Sequence, residues 1–363
     1  MKLHRRAALG AVATVAALSL AGCAGNESTP ATSESASSLE GTLNGSGATS
    51  QQVAIQAWTA QFQSANDAVT VNYDPQGSGT GRESFQSGAV QFAGSDRAFT
   101  TDEISAGPFG ACADGTDIVE IPAYVSPIAV IFTLDGIDEL DLDAKTLAGI
   151  FAGTITSWDD PAIAATNSGV DLPATKITPV HRSDKSGTTA NFTDYLAANA
   201  PDVWTSGSVE EWPTATGEAA QGTSGVVNAV KGGEGTIGYA DSSQATGISS
   251  VSVKVGDAFV GHSAEGAAIA VDASPFEEGR ADTDLAIKID RTTTAEDAYP
   301  IVLVSYLIGC AQYDDAGTAA LVKGFFSAAI SSEGQDAAAE NAGSAPISDD
   351  LRTKAAAAVD AIE

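Results

Sequence analysis

Histidine, cysteine and positive charge are all scarce in this chain, and each scarcity excludes something. Three histidines occur in 363 residues, and past the first few positions only His181 and His262 remain. Zinc sites need clustered Cys and His, and no such cluster exists, so no metal is expected. A serine hydrolase needs a base, usually His, and commonly a Gly-x-Ser-x-Gly elbow. No elbow occurs, and His181 beside Arg182 reads as a strand-end residue, so an enzyme such as a phosphate-ester hydrolase is the weaker alternative. No Gly-x-x-x-x-Gly-Lys-Ser/Thr string and no Gly-x-Gly-x-x-Gly opening a helix in a dinucleotide context is present. Nucleotide cofactors are therefore not expected, and any ligand should be small. Lys and Arg total 17 against 47 Asp and Glu, for a net charge of −30. That balance lacks the basic footprint that nucleic acid requires. It does not exclude a small anion, because distant surface carboxylates are screened within about 10 Å; the acidity is read as a solubility feature.

A long apolar run is also missing. Ala7 to Leu20 is uncharged, shorter than the roughly 20 residues a membrane-spanning helix needs. It follows Lys2, Arg5 and Arg6 and precedes Leu20-Ala21-Gly22-Cys23, which together describe a secretory signal peptide. The ending resembles the bacterial lipobox, so residues 1–22 are expected to be a leader and Cys23 the lipidated first residue of the mature chain. Residues 23–40, rich in Ser, Thr, Ala and Glu, cannot bury a core and should form a tether. The protein is accordingly expected on the extracytoplasmic face of the cell membrane, held by its N-terminal lipid. Beyond Cys23 only Cys112 and Cys310 remain, an even pair in an oxidising compartment and a disulfide candidate.

The rest of the chain fits two domains of moderate size and has no repeat of fixed period. Val69 to Tyr73, Val125 to Leu134, Ile177 to Val180 and Thr236 to Tyr239 read as strands. Gln51 to Ala65, Ala190 to Ala198, Gly225 to Lys231, Thr318 to Ile330 and Asp349 to Ile362 read as helices. Such alternation predicts α/β domains with parallel or mixed sheets. Three places share one design, a turn of Gly with Ser or Thr directly before a helical run: Gly45 to Ser50, Gly77 to Gly81, and Ser183 to Thr189. Helix N-termini offer unpaired N–H groups and partial positive charge. Glycine admits a ligand to the backbone, and hydroxyls add donors. Each turn is a potential anion site; three of them, with Arg182 before the third, suggest one oxyanion held from several sides.

The segment from Leu147 to Leu196 contains Ile150-Phe-Ala-Gly-Thr-Ile-Thr-Ser-Trp-Asp-Asp-Pro161, Leu172-Pro173 and Val180-His-Arg-Ser-Asp-Lys-Ser-Gly-Thr-Thr189. With Phe92-Ala-Gly-Ser-Asp96 and Gly235-Thr-Ile-Gly-Tyr239, it resembles the phosphate-binding proteins of Pst-type ABC importers, over about residues 41 to 360. The resemblance implies an α/β, two-lobed periplasmic-binding-protein fold (type II-like). Its hinge has two chain crossovers, and the ligand lies in the interlobe cleft. Lobe one would hold residues 41–124 and 296–363, and lobe two residues 125–295. Both Cys112 and Cys310 would then fall in lobe one. The partners implied are inorganic phosphate and the membrane permease of an ABC phosphate importer; sulfate or molybdate is the alternative oxyanion.

Carried over by position, lobe one would supply Thr49, the backbone of Ser50, Ser78 and Asp96, and lobe two Arg182, Ser186, Gly187 and Thr188. Asp184 would pair with Arg182 and orient it. Ser50 stands where better-known members often have a bulky aromatic, and Lys185 where a glycine is common. These residue types suit phosphate. At neutral pH phosphate keeps at least one proton and sulfate keeps none. A carboxylate such as Asp96 accepts a hydrogen bond from the first and repels the second. Arg182 supplies a fixed charged fork suited to an oxyanion.

Overall fold

The computed structural model describes residues 39–363; the expected leader, Cys23 and nearly all of the tether lie outside the described residues. In chain order the strands are β1 (Gly41–Gly47), β2 (Val69–Asp74), β3 (Phe92–Ser95), β4 (Ile118–Thr133), β5 (Glu139–Leu142) and β6 (Thr178–Arg182), then β7 (Glu218–Ala220), β8 (Thr236–Asp241), β9 (Ser249–Val255), β10 (Ala258–Val260) and β11 (Val302–Cys310). The helices are α1 (Gln52–Ala65), α2 (Ser78–Gln86), α3 (Thr101–Ala106), α4 (Ala144–Phe151), α5 (Pro161–Thr166) and α6 (Gly187–Asn199), then α7 (Gly222–Gly232), α8 (Ala264–Asp272), α9 (Ala316–Ile330), α10 (Ser332–Ala342) and α11 (Asp349–Asp360). The main path of the sheet runs β2-β1-β3-β11-β4-β8-β6-β7, with β9 joining β4, β5 and β10. This is the mixed α/β, two-lobed fold of periplasmic binding proteins.

Two long strands carry the sheet from one half to the other. β4 is buried from Ile118 to Phe132, as a near-continuous apolar run covered on both faces should be. It starts seven residues before the Val125 expected from sequence, because Pro122 and Pro127 disguise its first half. Proline removes a ladder donor and is confined to irregular positions in sheets. Pro122 faces the register shift between Ser305 and Tyr306. Pro127 stands where the partner of β4 passes from β11 to β8. Around the first half lies an aromatic core of Phe62, Phe92, Phe325 and Phe326. Around the second, Phe192 and Trp212 stack on Tyr239, and Phe151 meets Phe192 and Trp212 edge to face. Cys112 and Cys310 are joined to each other, their Cα atoms 5.3 Å apart, tying the loop after α3 to the end of β11.

The first glycine-rich stretch is not all turn. Gly45 to Gly47 is the end of β1, with Gly45 and Ser46 paired on both sides with β2 and β3 and Gly47 with β3. The small residues are needed there because the Phe92 ring lies over Gly45, where an added Cβ would come within 2.2 Å of it. The turn proper is Ala48 to Gln51. Likewise Ser78 to Gly81 is already the first turn of α2. β1 and β3 run opposite to β6 and β8, and the carboxyl ends of the two sets meet in one region; carboxyl ends of strands are where open α/β sheets place their ligands.

Candidate functional site

Four helices begin at this edge. Three are those expected: α1 after Ser50, α2 at Ser78, and α6 at Gly187. The fourth is α7, whose start Gln221-Gly222-Thr223-Ser224-Gly225 has the same glycine-and-hydroxyl design and went unrecognised in the sequence. The ends of α1, α2 and α7 carry no side-chain cap. Most other helices do; Asp143, Asp160, Ser263, Asp315 and Ser331 cap theirs. Converging N-termini bring partial positive charge to one place, although Gly79 N at α2 already donates to Lys185 O at 3.1 Å, and Gly222 N and Thr223 N at α7 donate to side chains of other elements. The α6 end is capped by Ser186 Oγ, which accepts from Thr189 N over 3.1 Å.

Asp96 is the centre of the cluster. It follows β3 directly, and its side chain is buried. Ser50 Oγ donates to Oδ1 at 2.5 Å, and Thr188 Oγ1 donates to Oδ2 at 2.9 Å. Ser305 Oγ, from the middle of β11, also donates to Oδ1, at 2.6 Å. The backbone is held as well: Asp96 N donates to Ser78 Oγ at 3.1 Å, and Asn191 Nδ2 donates to Asp96 O at 2.7 Å. Burial pushes the Asp96 carboxyl above its ordinary range, while the hydroxyls of Ser305, Ser50 and Thr188 and the charge of Arg182 pull it back.

Arg182 ends β6 and is buried. Its Nε donates to Asp184 Oδ1 at 2.8 Å, and its Nη2 donates to Asp184 Oδ2. Asp184 also accepts from Gly222 N at 3.0 Å, so one carboxylate orients the guanidinium and ties it to the start of α7. Burial raises the Asp184 carboxyl, but the hydrogen bonds and charge of Arg182 prevail and hold it below the usual range. Thr49 meets α7 from the other side, its Oγ1 lying 2.9 Å from Thr223 Oγ1 and accepting from Thr223 N at 3.1 Å. The elements close tightly on one another. A Cβ on Gly187 would lie 2.6 Å from Ser78 Oγ and 2.7 Å from Asp96 Cβ. Gly77, at φ +107°, leaves room for Asp184 and the Lys185 carbonyl.

Every nominated residue therefore falls in one cluster: Thr49, Ser50, Ser78, Asp96, Arg182, Asp184, Ser186, Gly187 and Thr188. Ser50 contributes a hydroxyl to Asp96 in addition to its backbone. Lys185 points away along the surface to Glu83. Sequence reasoning missed Ser305, Gly222 and Thr223. His181 stacks on Trp212 at 4.8 Å, and its Nδ1 pairs with Arg182 O. Among the described residues, neither His181 nor His262 hydrogen-bonds to the hydroxyls around Asp96. The cluster is equipped to hold an anion that offers both lone pairs and a proton: donors on several sides, one guanidinium, and one buried carboxylate.

The family model described as a PBP superfamily domain matches residues 31–333. The chain is 35% identical over 379 residues to the phosphate-binding protein PstS 3 of Mycobacterium leprae (strain TN), covering 100% of both chains. It is 30% identical over 311 residues to the phosphate-binding protein PstS of Xylella fastidiosa (strain 9a5c), covering 83% of this chain and 80% of that one. In fold it is similar to a high-affinity periplasmic phosphate-binding protein (PfluDING) bound with phosphate, with TM-score 0.72 and 24% identity over 87% of this chain and 93% of that one. A phosphate-binding protein from Stenotrophomonas maltophilia gives TM-score 0.67 and 21% identity, covering 88% and 94%. Full-length identity to the PstS proteins, on a fold whose strand ends gather the residues above, makes the chain a member of the Pst-type phosphate-binding protein family.

Proposed function

We propose that this chain captures inorganic phosphate between its lobes and delivers it to an ABC importer. The carrying observation is a buried carboxylate, Asp96, set among hydroxyl donors, uncapped helix ends and one guanidinium. A site made only of donors binds any tetrahedral oxyanion. An acceptor in its middle favours one that still carries a proton.

In this reading Thr49, Ser50, Ser78 and Asp96 contact phosphate from lobe one, and Arg182, Ser186, Gly187 and Thr188 from lobe two. Ser50 and Thr188, now donating to Asp96, would turn to phosphate oxygens. Asp96 would then take the phosphate proton in a hydrogen bond, while Ser305 remains on Oδ1. Asp184 would keep the Arg182 fork aimed. Lobe one comprises residues 41–124 and 296–363 and lobe two residues 125–295, with the chain crossing twice at the hinge. Residues 280–287 of lobe two lie against lobe one: Thr283 O and Leu285 N bond to the backbone of Glu120, Arg280 donates to Phe99 O, and Ile287 N donates to the Tyr306 hydroxyl. Cys23 carries the lipid that holds the mature chain on the extracytoplasmic face of the membrane, and binding involves no catalysis.

Calorimetric titration of phosphate-stripped protein with phosphate, and with sulfate in parallel, tests the reading. Tight phosphate binding with sulfate rejected supports it. Absence of phosphate binding, or equal affinity for both anions, refutes it.

A further inference from the structure

We infer that Glu210 is a closure latch, a positioning residue that sets how long a bound anion stays; this rests on the proposed division into lobes and on phosphate as the ligand. Glu210 lies in the loop between α6 and β7, within lobe two. Its carboxylate receives two arginines from lobe one. Arg82 Nη2 donates to Oε1 at 2.8 Å and Oε2 at 2.6 Å, and Arg97 Nη2 donates to Oε2 at 2.7 Å.

Each side of this contact is pinned to its own lobe. Arg82 Nη1 donates to Ser95 Oγ at 2.7 Å, and Ser95 Oγ donates to Arg97 O at 2.6 Å, so both arginines are braced on the end of β3. The Glu210 loop is pinned to α6: Val209 N donates to Thr193 Oγ1 at 2.9 Å, and Ser208 Oγ donates to Ala190 O at 3.0 Å. Lobe opening would therefore separate the carboxylate from both guanidiniums, with neither side free to follow. The latch also touches the site through the backbone. Arg97 follows Asp96 directly, and Glu210 O accepts from Ser186 N at 3.1 Å.

Burial is enough for the contact to count. The Arg82 side chain is 4% exposed and that of Glu210 16%. Exposed ion pairs are worth little, whereas shielded ones made of several charged hydrogen bonds are worth more and act mainly on dissociation. Burial raises the Glu210 carboxyl, yet the charges of Arg82 and Arg97 prevail and keep it below its ordinary range.

The test is stopped-flow phosphate binding and release by the full chain, as wild type, Glu210→Gln, Glu210→Asp and Arg97→Gln. Because the latch forms on closure, Glu210→Gln should release phosphate at least about tenfold faster while its association rate changes little. Glu210→Asp restores the charge and should recover part of the loss. Added salt should speed release from wild type and affect Glu210→Gln less. Arg97→Gln removes one of the bonds to Glu210, at a more open position, along with Arg97's bonds to Glu103 and Ala98 O inside lobe one, and should give a smaller acceleration; it carries the test if Glu210→Gln does not fold. Wild-type release rates in the variants, or a loss confined to association, overturn the latch and leave the functional reading standing. Wild-type protein that takes up no phosphate overturns that reading, and the latch falls with it.

Discussion

Thr188 Oγ1 donates to Asp96 Oδ2 over 2.9 Å, joining the first turn of α6 to the end of β3. The residues are 92 apart in sequence and belong to different lobes in the proposed division. Their bond makes the ligand cluster and the lobe contact one structure.

Arg182 should dominate affinity. Its guanidinium is buried and already oriented by Asp184. Arg182→Ala removes a charge-assisted donor and should cost at least about 2 kcal/mol, roughly 30-fold in phosphate affinity. Arg182→Lys should recover only part, because the planar fork is lost. Calorimetry on both variants decides; affinity within about twofold of wild type for Arg182→Ala would remove it from the site.

Gly187 should govern assembly of the site. An alanine methyl there would sit 2.6 Å from Ser78 Oγ and 2.7 Å from Asp96 Cβ. Helix geometry itself tolerates alanine at this position, so the cost falls on bringing β3 and α6 together. Gly187→Ala should bind phosphate at least about tenfold more weakly, a loss near 1.4 kcal/mol. Scattering should show less compaction on adding phosphate. Wild-type affinity with full compaction would contradict the proposed closure.

The alternating elements were legible in the sequence because each is written locally. Val69 to Tyr73 has the strand's small scale, and the Ser186-Gly187-Thr188 start announces α6. The Arg182–Asp184 pair was implied by the family resemblance, whose motif holds both residues in one short stretch. Ser305 was not: a single serine inside Val302–Cys310 carries no local signal, and its partner Asp96 lies 209 residues away. Thr223 meets Thr49 across 174 residues, and its Gly-Thr-Ser-Gly turn was readable as a fourth copy of a design already noticed. The early part of β4 was hidden by prolines that only the register with β11 and β8 explains.

Asp241 should make stability depend on pH. It is buried at the end of β8, where Tyr124 OH and Ser243 N each donate to Oδ1 at 3.0 Å and, among the described residues, Oδ2 has no partner. Burial pushes its carboxyl from 3.8 to about 6. A raised acid in the folded state holds its proton longer than in the unfolded chain. Its contribution is therefore largest below the unfolded value and is lost as pH rises through about 6. The loss is worth on the order of 3 kcal/mol. Asp241→Asn cannot ionise, so relative to wild type it should gain stability between about pH 4 and 7. Urea unfolding of both across that range measures this; a constant difference would contradict it.

Cys23 should decide attachment. Cys23→Ser should leave the chain unlipidated and release it from membranes or block its processing. Phosphate affinity should not change if residues 23–40 act as the tether proposed from their composition, because the lipid would then stand apart from the binding residues. Fractionation with lipid labelling checks this, and a wild-type protein found wholly soluble and unlipidated would contradict it.

Asp96→Asn tests the central claim most directly, through the ratio of phosphate to sulfate affinity measured by competition titration. The amide keeps the shape of the carboxylate but removes its charge and can turn a donor toward the ligand. Phosphate loses a proton acceptor, while sulfate loses a repulsive neighbour. Phosphate affinity alone is a poor guide, since removing a negative charge beside an anion offsets the lost hydrogen bond. The account predicts that the ratio collapses by one to several orders of magnitude, about 1.4 kcal/mol for each. A mutant that rejects sulfate as strongly as wild type would show that Asp96 is not what distinguishes the two anions.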